Sequence, residues 1–278
     1  MRNKFITIVL TITFLWQNCL PACETYHLHA NLRPRAAGER RLTLTGTSLP
    51  VPSQREIVEF FDGFDQTGIK RSPDGIITFS SLTRYAPGVL ERLISIISEL
   101  GNKLDILSIG CGRGEMEAML QKHGHKVLGI DLSEKNVRHT QAKGVNAVVA
   151  DAHNLPDFGR KFDVVLLSES IGYMNIPLAL KNAAAALKDG GRIVVTNYSD
   201  IWPIDRALDL RKTKYYRYTR QEVVEGLTQN GFSIISGRTL VIGIMKPNKP
   251  YGLDVYIAVK SKRNPADQKV VELALQAI

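Results

Sequence analysis

From residue 56 onward, apolar positions fall first at helical spacing and then in short unbroken runs. Ile57, Val58, Phe60, Phe61 and Phe64 form one apolar face, and Val89, Leu90, Leu93, Ile94, Ile97 and Leu100 form a longer one. Gly101-Asn102 supplies residue types that stop a helix. The pattern then alternates. It predicts strands over Leu104–Ile109, Lys126–Asp131, Ala147–Ala150, Phe162–Ser168 and Arg192–Asn197, with helices over Glu115–Lys122, Glu134–Lys143 and Ile176–Leu187. Strands that are apolar at nearly every position, separated by amphipathic helices, belong to a parallel sheet covered on both faces. Thr219-x-x-Glu222 is a capping box and predicts a helix over Arg220–Asn230. Two more strands, Phe232–Ser236 and Asp254–Lys260, follow without a helix between them, as in an antiparallel hairpin at a sheet edge. The expected fold is a doubly wound α/β sheet with an N-terminal helical cap.

Composition narrows the class. With 44% apolar residues, 23% charged and 12 prolines in 278 residues, the chain is neither disordered nor collagen-like nor a multi-span membrane protein. No apolar run after the first few residues is long enough for a membrane span. The net charge of +9 is spread along the chain, so it is compatible with nucleic acid, acidic substrates or neither. Cys19, Cys23 and Cys111 have no repeated spacing, which gives neither a disulfide framework nor a zinc site, and no metal is expected. The body of the chain reads as reduced and intracellular.

The first thirty residues read differently. Arg2 and Lys4 precede the apolar run Phe5–Trp16, and Leu20-Pro21-Ala22-Cys23 follows. A basic start, about a dozen apolar residues and a small residue before a cut are the features of a secretory signal, and the last four resemble a lipoprotein box. A short surface anchor and a misassigned start are the alternatives. Residues 31–55, rich in Arg, Thr, Pro and Gly, read as a linker. The expected organisation is a signal-like or anchor segment (1–30), this linker (31–55), the helical cap (56–101), a ligand-binding domain (102–260) and a tail (261–278).

The chemistry concentrates at the first strand of the alternating part. Ile106-Leu107-Ser108-Ile109-Gly110-Cys111-Gly112-Arg113-Gly114-Glu115 is a strand, a glycine loop and a helix start. Its spacing is G-x-G-x-G. A dinucleotide fingerprint needs a third glycine where Glu115 stands, and a carboxylate at that helix start repels a pyrophosphate. The second strand ends on Asp131, an acid able to accept both hydroxyls of a ribose. The third ends Asp151-Ala152, where an adenine amino group could donate. Each Asp alone reads as a cap or turn residue. Three strand tips in order carry more weight than any one.

Taken together, these segments resemble the class I S-adenosylmethionine-dependent methyltransferases. Gly129-Ile130-Asp131-Leu132-Ser133 is similar to the second motif of that family, and Ala150-Asp151-Ala152-His153-Asn154-Leu155-Pro156 to the third. Phe162–Ser168 and Leu187–Arg192 are similar to its fourth strand and to the turn into its fifth. The resemblance covers roughly residues 100–260. It implies a seven-stranded, mostly parallel sheet with one antiparallel strand at the edge. It implies S-adenosyl-L-methionine as cofactor, with Gly110, Gly112 and Gly114 against the methionine part and Cys111 and Leu132 also in the cofactor site. It further implies Asp131 on the ribose, Asp151 and Ala152 at the adenine, and Ser168 at the mouth where methyl transfer occurs. One departure stands out: the family carries an acid where this chain has Ser108. Asp105 lies three residues earlier, on the other face of the strand, and is not a substitute.

Direct displacement at a sulfonium asks the protein mainly for alignment and exclusion of water. His153, Glu169 and Tyr173 stand near the expected mouth, each with a structural alternative as a flank, a turn cap or a wall, so no catalytic base is assigned. Acceptor choice is expected from residues 56–100 and from the insert 200–219, which contains Arg211, Lys212, Lys214, Tyr215, Tyr216, Arg217 and Tyr218. Basic residues interleaved with aromatics could stack on and neutralise a nucleotide, but more often form a solvated loop whose tyrosines close over the cofactor pocket. A small-molecule methyl acceptor is the leading expectation. RNA or protein methylation, and a catalytically silent S-adenosylmethionine-binding protein, are the alternatives. A cytoplasmic location is expected, with tethering or export through residues 1–23 as the alternative.

Overall fold

The computed structural model describes residues 52–65, 69–71, 77–79, 88–198, 214–245 and 249–261. The leader, nearly all of the linker, the tail from residue 262, and Arg211 and Lys212 of the insert lie outside the described residues.

The cap begins with α1 (Gln54–Asp62), closed at its start by a reciprocal capping box between Ser53 and Glu56. A short antiparallel pair, β1 (Ile69–Arg71) and β2 (Ile77–Phe79), follows where the apolar spacing gave no strand signal. Then comes α2 (Val89–Ser98). The domain proper alternates β3 (Asp105–Ile109), α3 (Glu115–Lys122), β4 (Lys126–Asp131), α4 (Glu134–Gln141), β5 (Asn146–Val149), β6 (Phe162–Leu167), α5 (Ile176–Ala186) and β7 (Leu187–Tyr198). It closes with α6 (Arg220–Gln229), β8 (Phe232–Met245) and β9 (Lys249–Lys260).

The seven strands lie in the order β5-β4-β3-β6-β7-β9-β8. β5, β4, β3, β6 and β7 are parallel, and β9 runs antiparallel to both β7 and β8. The reversed strand is thus the last in the chain, slotted between β7 and the outermost strand β8. The two final strands are far longer than their apolar patches, because each pairs along its whole length with the other.

Period-two alternation splits the strand residues between two cores. Leu107, Ile109, Val165, Leu167, Ile193 and Val195 face α5 and α6, joined by Leu180, Val223 and Leu227. Ile106, Val164, Leu166 and Val194 face α2 and α3, joined by Leu93, Ile97 and Leu120. Burying such a side chain stabilises by roughly 1.5–3 kcal/mol. The two-sided burial explains why the strands read as unbroken apolar runs. It also leaves the carboxyl ends of β3, β4 and β5 as the accessible crevice of the domain.

Candidate functional site

The glycine loop leaves the end of β3 and is fastened to β4. The N–H groups of Gly110 and Cys111 both donate to the Ile130 carbonyl, at 2.8 and 2.9 Å. Gly112 and Gly114 both have left-handed backbones, at φ +55 and +79, yet for different reasons. A Cβ on Gly112 would meet nothing within 4 Å, so that position opens onto the cleft. A Cβ on Gly114 would stand 2.7 Å from the Thr140 side chain and 2.9 Å from its Cα. Gly114 therefore lets the loop pack on α4 rather than facing the cleft.

The cleft enclosed there spans about 1050 Å³, part of it open to solvent. Gly110, Cys111, Gly112, Asp131 and Leu132 line it, and so do Asp151, Ala152 and Ser168. The structure thus brings together every residue expected at the cofactor except Gly114, which sits one layer behind. His153, Glu169 and Tyr173 also line the cleft.

Asp131 is a junction. Its Oδ2 accepts the Gly112 N–H at 2.9 Å, and its Oδ1 accepts the Ser133 N–H at 2.9 Å and the Asn136 side-chain amide at 3.2 Å. Burial outweighs these bonds and pushes its carboxyl up to about 6. Asp151 Oδ1 accepts the His153 N–H and pairs with His153 Nδ1, both at 2.9 Å. His153 Nε2 accepts the Asn175 N–H at 2.9 Å, which leaves the ring proton on Nδ1, donated to Asp151. Both ring nitrogens are engaged, so His153 serves as a flank.

Glu169 adopts a left-handed backbone at φ +53, which costs a non-glycine residue about 1–2 kcal/mol. Its N–H donates to Thr196 Oγ1 at 2.8 Å, and its Oε2 accepts the Tyr198 hydroxyl at 2.7 Å. Burial and the nearby Glu169 charge raise the Tyr198 hydroxyl well above the usual tyrosine range. Beside Glu169 an aromatic wall closes the cleft: Phe61 meets Tyr173 edge-on at 5.0 Å, and Tyr173 meets Tyr215 at 5.0 Å.

Two features escaped the sequence reading. The first is the grip of α1 on the cleft. Gln54 Nε2 donates to Asp151 Oδ2, Ser133 Oγ donates to Asp62 Oδ1 at 2.6 Å, and Lys135 Nζ donates to the Asp62 and Phe64 carbonyls at 2.8 and 2.7 Å. The second is Glu117, 3% exposed and lining the cleft, whose Oε1 accepts Ser108 Oγ at 2.6 Å. Burial, aided by the charges of Glu115 and Asp131, pushes its carboxyl up to about 7. The signal was present in the loss of an acid at Ser108, but its partner nine residues later shows only in three dimensions.

The insert is also clearer. Tyr215, Arg217 and Tyr218 are buried, with Tyr215 donating to Asn197 Oδ1 at 3.2 Å and Tyr218 to the Met174 carbonyl at 2.9 Å. They hold the wall of the cleft and offer no face for stacking on a nucleic acid.

The family model described as a methyltransferase domain matches residues 82–237, more than half of the chain. The chain belongs to the S-adenosylmethionine-dependent class I methyltransferases. Among curated proteins, the ubiquinone biosynthesis O-methyltransferase of Coxiella burnetii is 33% identical over 95 residues, 32% of this chain and 41% of that enzyme. The matched stretch thus spans about two fifths of the length of that relative. Two solved methyltransferase structures share the fold. An S-adenosylmethionine-dependent methyltransferase from Mesorhizobium loti has a TM-score of 0.52 at 23% identity, covering 62% of this chain and 98% of its own. The magnesium protoporphyrin IX methyltransferase of Synechocystis, solved with its cofactor, has a TM-score of 0.53 at 19% identity, covering 78% and 100%.

The residues of this methyltransferase fit the family cofactor on their own chemistry. A cleft with carboxylates Asp131, Glu117 and Asp151 and an open glycine backbone suits a cationic nucleoside and opposes a pyrophosphate. Among the described residues no group of acids, histidines or cysteines is arranged for a metal ion, and no helix is long and apolar enough to cross a membrane.

Proposed function

We propose that the protein transfers a methyl group from S-adenosylmethionine to a small, largely apolar acceptor by direct displacement. The observation that carries this reading is a cleft where the glycine loop, Asp131 and Asp151 meet an aromatic wall of Phe61 and Tyr173. The cofactor supplies an activated methyl on a sulfonium. Gly110 and Gly112 give a bare backbone for the methionine part, Asp131 accepts from the ribose, and Asp151 and Ala152 flank the adenine. Leu132 and Cys111 fill the sides. Cys111 remains a thiol at neutral pH, because burial and the charges of Glu117 and Asp131 raise it well above the usual range. Ile57, Phe61, Leu90 and Tyr173 exclude water from the acceptor side, and Glu169, strained into the cleft, orients the acceptor's polar group.

The names of the curated relatives support a small-molecule acceptor. So does the burial of Tyr215, Arg217 and Tyr218, which takes these three side chains away from any nucleic-acid surface. The domain limits follow the same logic: the cap from residue 56 covers the acceptor side, and residues 102–260 hold the cofactor. Incubating the protein with methyl-labelled S-adenosylmethionine and a cell extract tests the reading. Label in the small-molecule fraction is expected, and label confined to RNA or protein would overturn it.

A further inference from the structure

S-adenosylmethionine is cationic twice over, at its sulfonium and at the α-ammonium of its amino-acid part. Beside the glycine loop, one carboxylate of the cleft has a single neutral hydroxyl as its side-chain partner. Glu117 stands in the first turn of α3, 3% exposed, with the neutral Ser108 hydroxyl as its side-chain partner and no cation touching it among the described residues. The groups that face it are Ser108 from β3, Cys111 from the loop, Asp131 from β4 and Glu115 from its own helix. None is positive. Lys143 pairs instead with Glu115 at 3.6 Å, and Arg113 reaches away to the Asp65 carbonyl at 3.1 Å. A carboxylate buried against a lone hydroxyl and two other acids is costly to keep. Its position is explained if a ligand completes it. A sulfonium has no N–H to donate, whereas an ammonium has three, so the ammonium is the group that satisfies a buried carboxylate.

We infer that Glu117, positioned by Ser108, is the residue that accepts the α-ammonium of the cofactor. The chain thereby supplies from α3 the charge that Ser108 does not carry on β3. This inference rests on the cofactor reading above, and the test separates the two. Three ligands are titrated calorimetrically: S-adenosylmethionine, S-adenosylhomocysteine and methylthioadenosine, which lacks the amino-acid part. In Glu117→Gln the first two should weaken by about 10- to 100-fold, while methylthioadenosine changes by less than about threefold. The double variant Ser108→Asp with Glu117→Gln puts one carboxylate back beside the same spot and should regain most of the loss. Removing a buried charge should leave the ligand-free melting temperature of Glu117→Gln equal or higher. If the parent protein binds none of the three ligands, the cofactor reading fails and takes this inference with it. If the parent binds all three and Glu117→Gln weakens none, or weakens methylthioadenosine equally, the assignment of Glu117 fails while the cofactor reading stands. Should Glu117→Gln not fold, the double variant decides. A double variant that binds methylthioadenosine as the parent does but stays at least 10-fold weaker for S-adenosylhomocysteine overturns the charge relocation.

Discussion

The Gly112 N–H donates to Asp131 Oδ2 at 2.9 Å, so the tip of β4 helps to hold the glycine loop in shape. Asp131 thereby serves the fold, beside its proposed place on the ribose. Asp131→Ala should weaken S-adenosylmethionine by roughly 30- to 1000-fold on the scale of about 1.4 kcal/mol per decade. Because three internal bonds go with it, stability should also fall by about 1–3 kcal/mol. Calorimetry and chemical denaturation on the same variant check both parts. Unchanged affinity would remove Asp131 from the ribose.

The two glycines of the loop should respond in opposite ways. Gly114→Ala places a methyl into Thr140 at a left-handed backbone, and should cost about 2 kcal/mol or more of stability. Gly112→Ala puts its methyl into open space in the cleft, so its main effect should be on ligand affinity. Denaturation midpoints alongside titrations distinguish the two. Equal effects of both substitutions on affinity would mean that Gly114 also faces the ligand.

Ligand-free stability should fall as pH rises through the range set by Glu117 and Asp131. Both carboxyls are raised in the folded state, to about 7 from 4.5 and to about 6 from 3.8. The folded protein then holds protons more tightly than the unfolded chain. Their favourable contribution is complete at low pH and is lost from about pH 4 to about pH 7, by about 1–3 kcal/mol for Glu117 alone. Thermal melts across that range, compared between the parent and Glu117→Gln, isolate its share. Parallel curves would contradict the buried state of Glu117.

Lys135 fastens the end of α1 through the Asp62 and Phe64 carbonyls, where a cation also meets the negative end of the helix. Lys135→Ala should loosen the cap, speeding S-adenosylmethionine dissociation several-fold while global stability changes by less than about 1 kcal/mol. Stopped-flow release measures this directly. An unchanged release rate would mean that α1 does not retain the cofactor.

Much of this was legible in residue order. Apolar runs such as Ile106–Ile109 and Phe162–Leu167 announce strands covered on both faces, and Thr219 with Glu222 marks a helix start that the structure keeps. The strand tips at Gly110, Asp131 and Asp151 converge because parallel strands in one sheet end on the same side. What stayed hidden depends on long-range contact. The 3-residue strands β1 and β2 are too short for a periodic signal. Gln54 meets Asp151 across 97 residues of chain. Tyr215 and Tyr218, which suit either stacking on a nucleotide or closing over the pocket, are buried, held by bonds to Asn197 and Met174 that residue order does not show.

The central claim is that this cleft holds S-adenosylmethionine and no dinucleotide. Calorimetric titration of the full chain with S-adenosylmethionine and with NAD, under one buffer at neutral pH, tests it in two runs. Saturable one-site binding of S-adenosylmethionine with no heat from NAD is the predicted result. Binding of NAD without S-adenosylmethionine would contradict it.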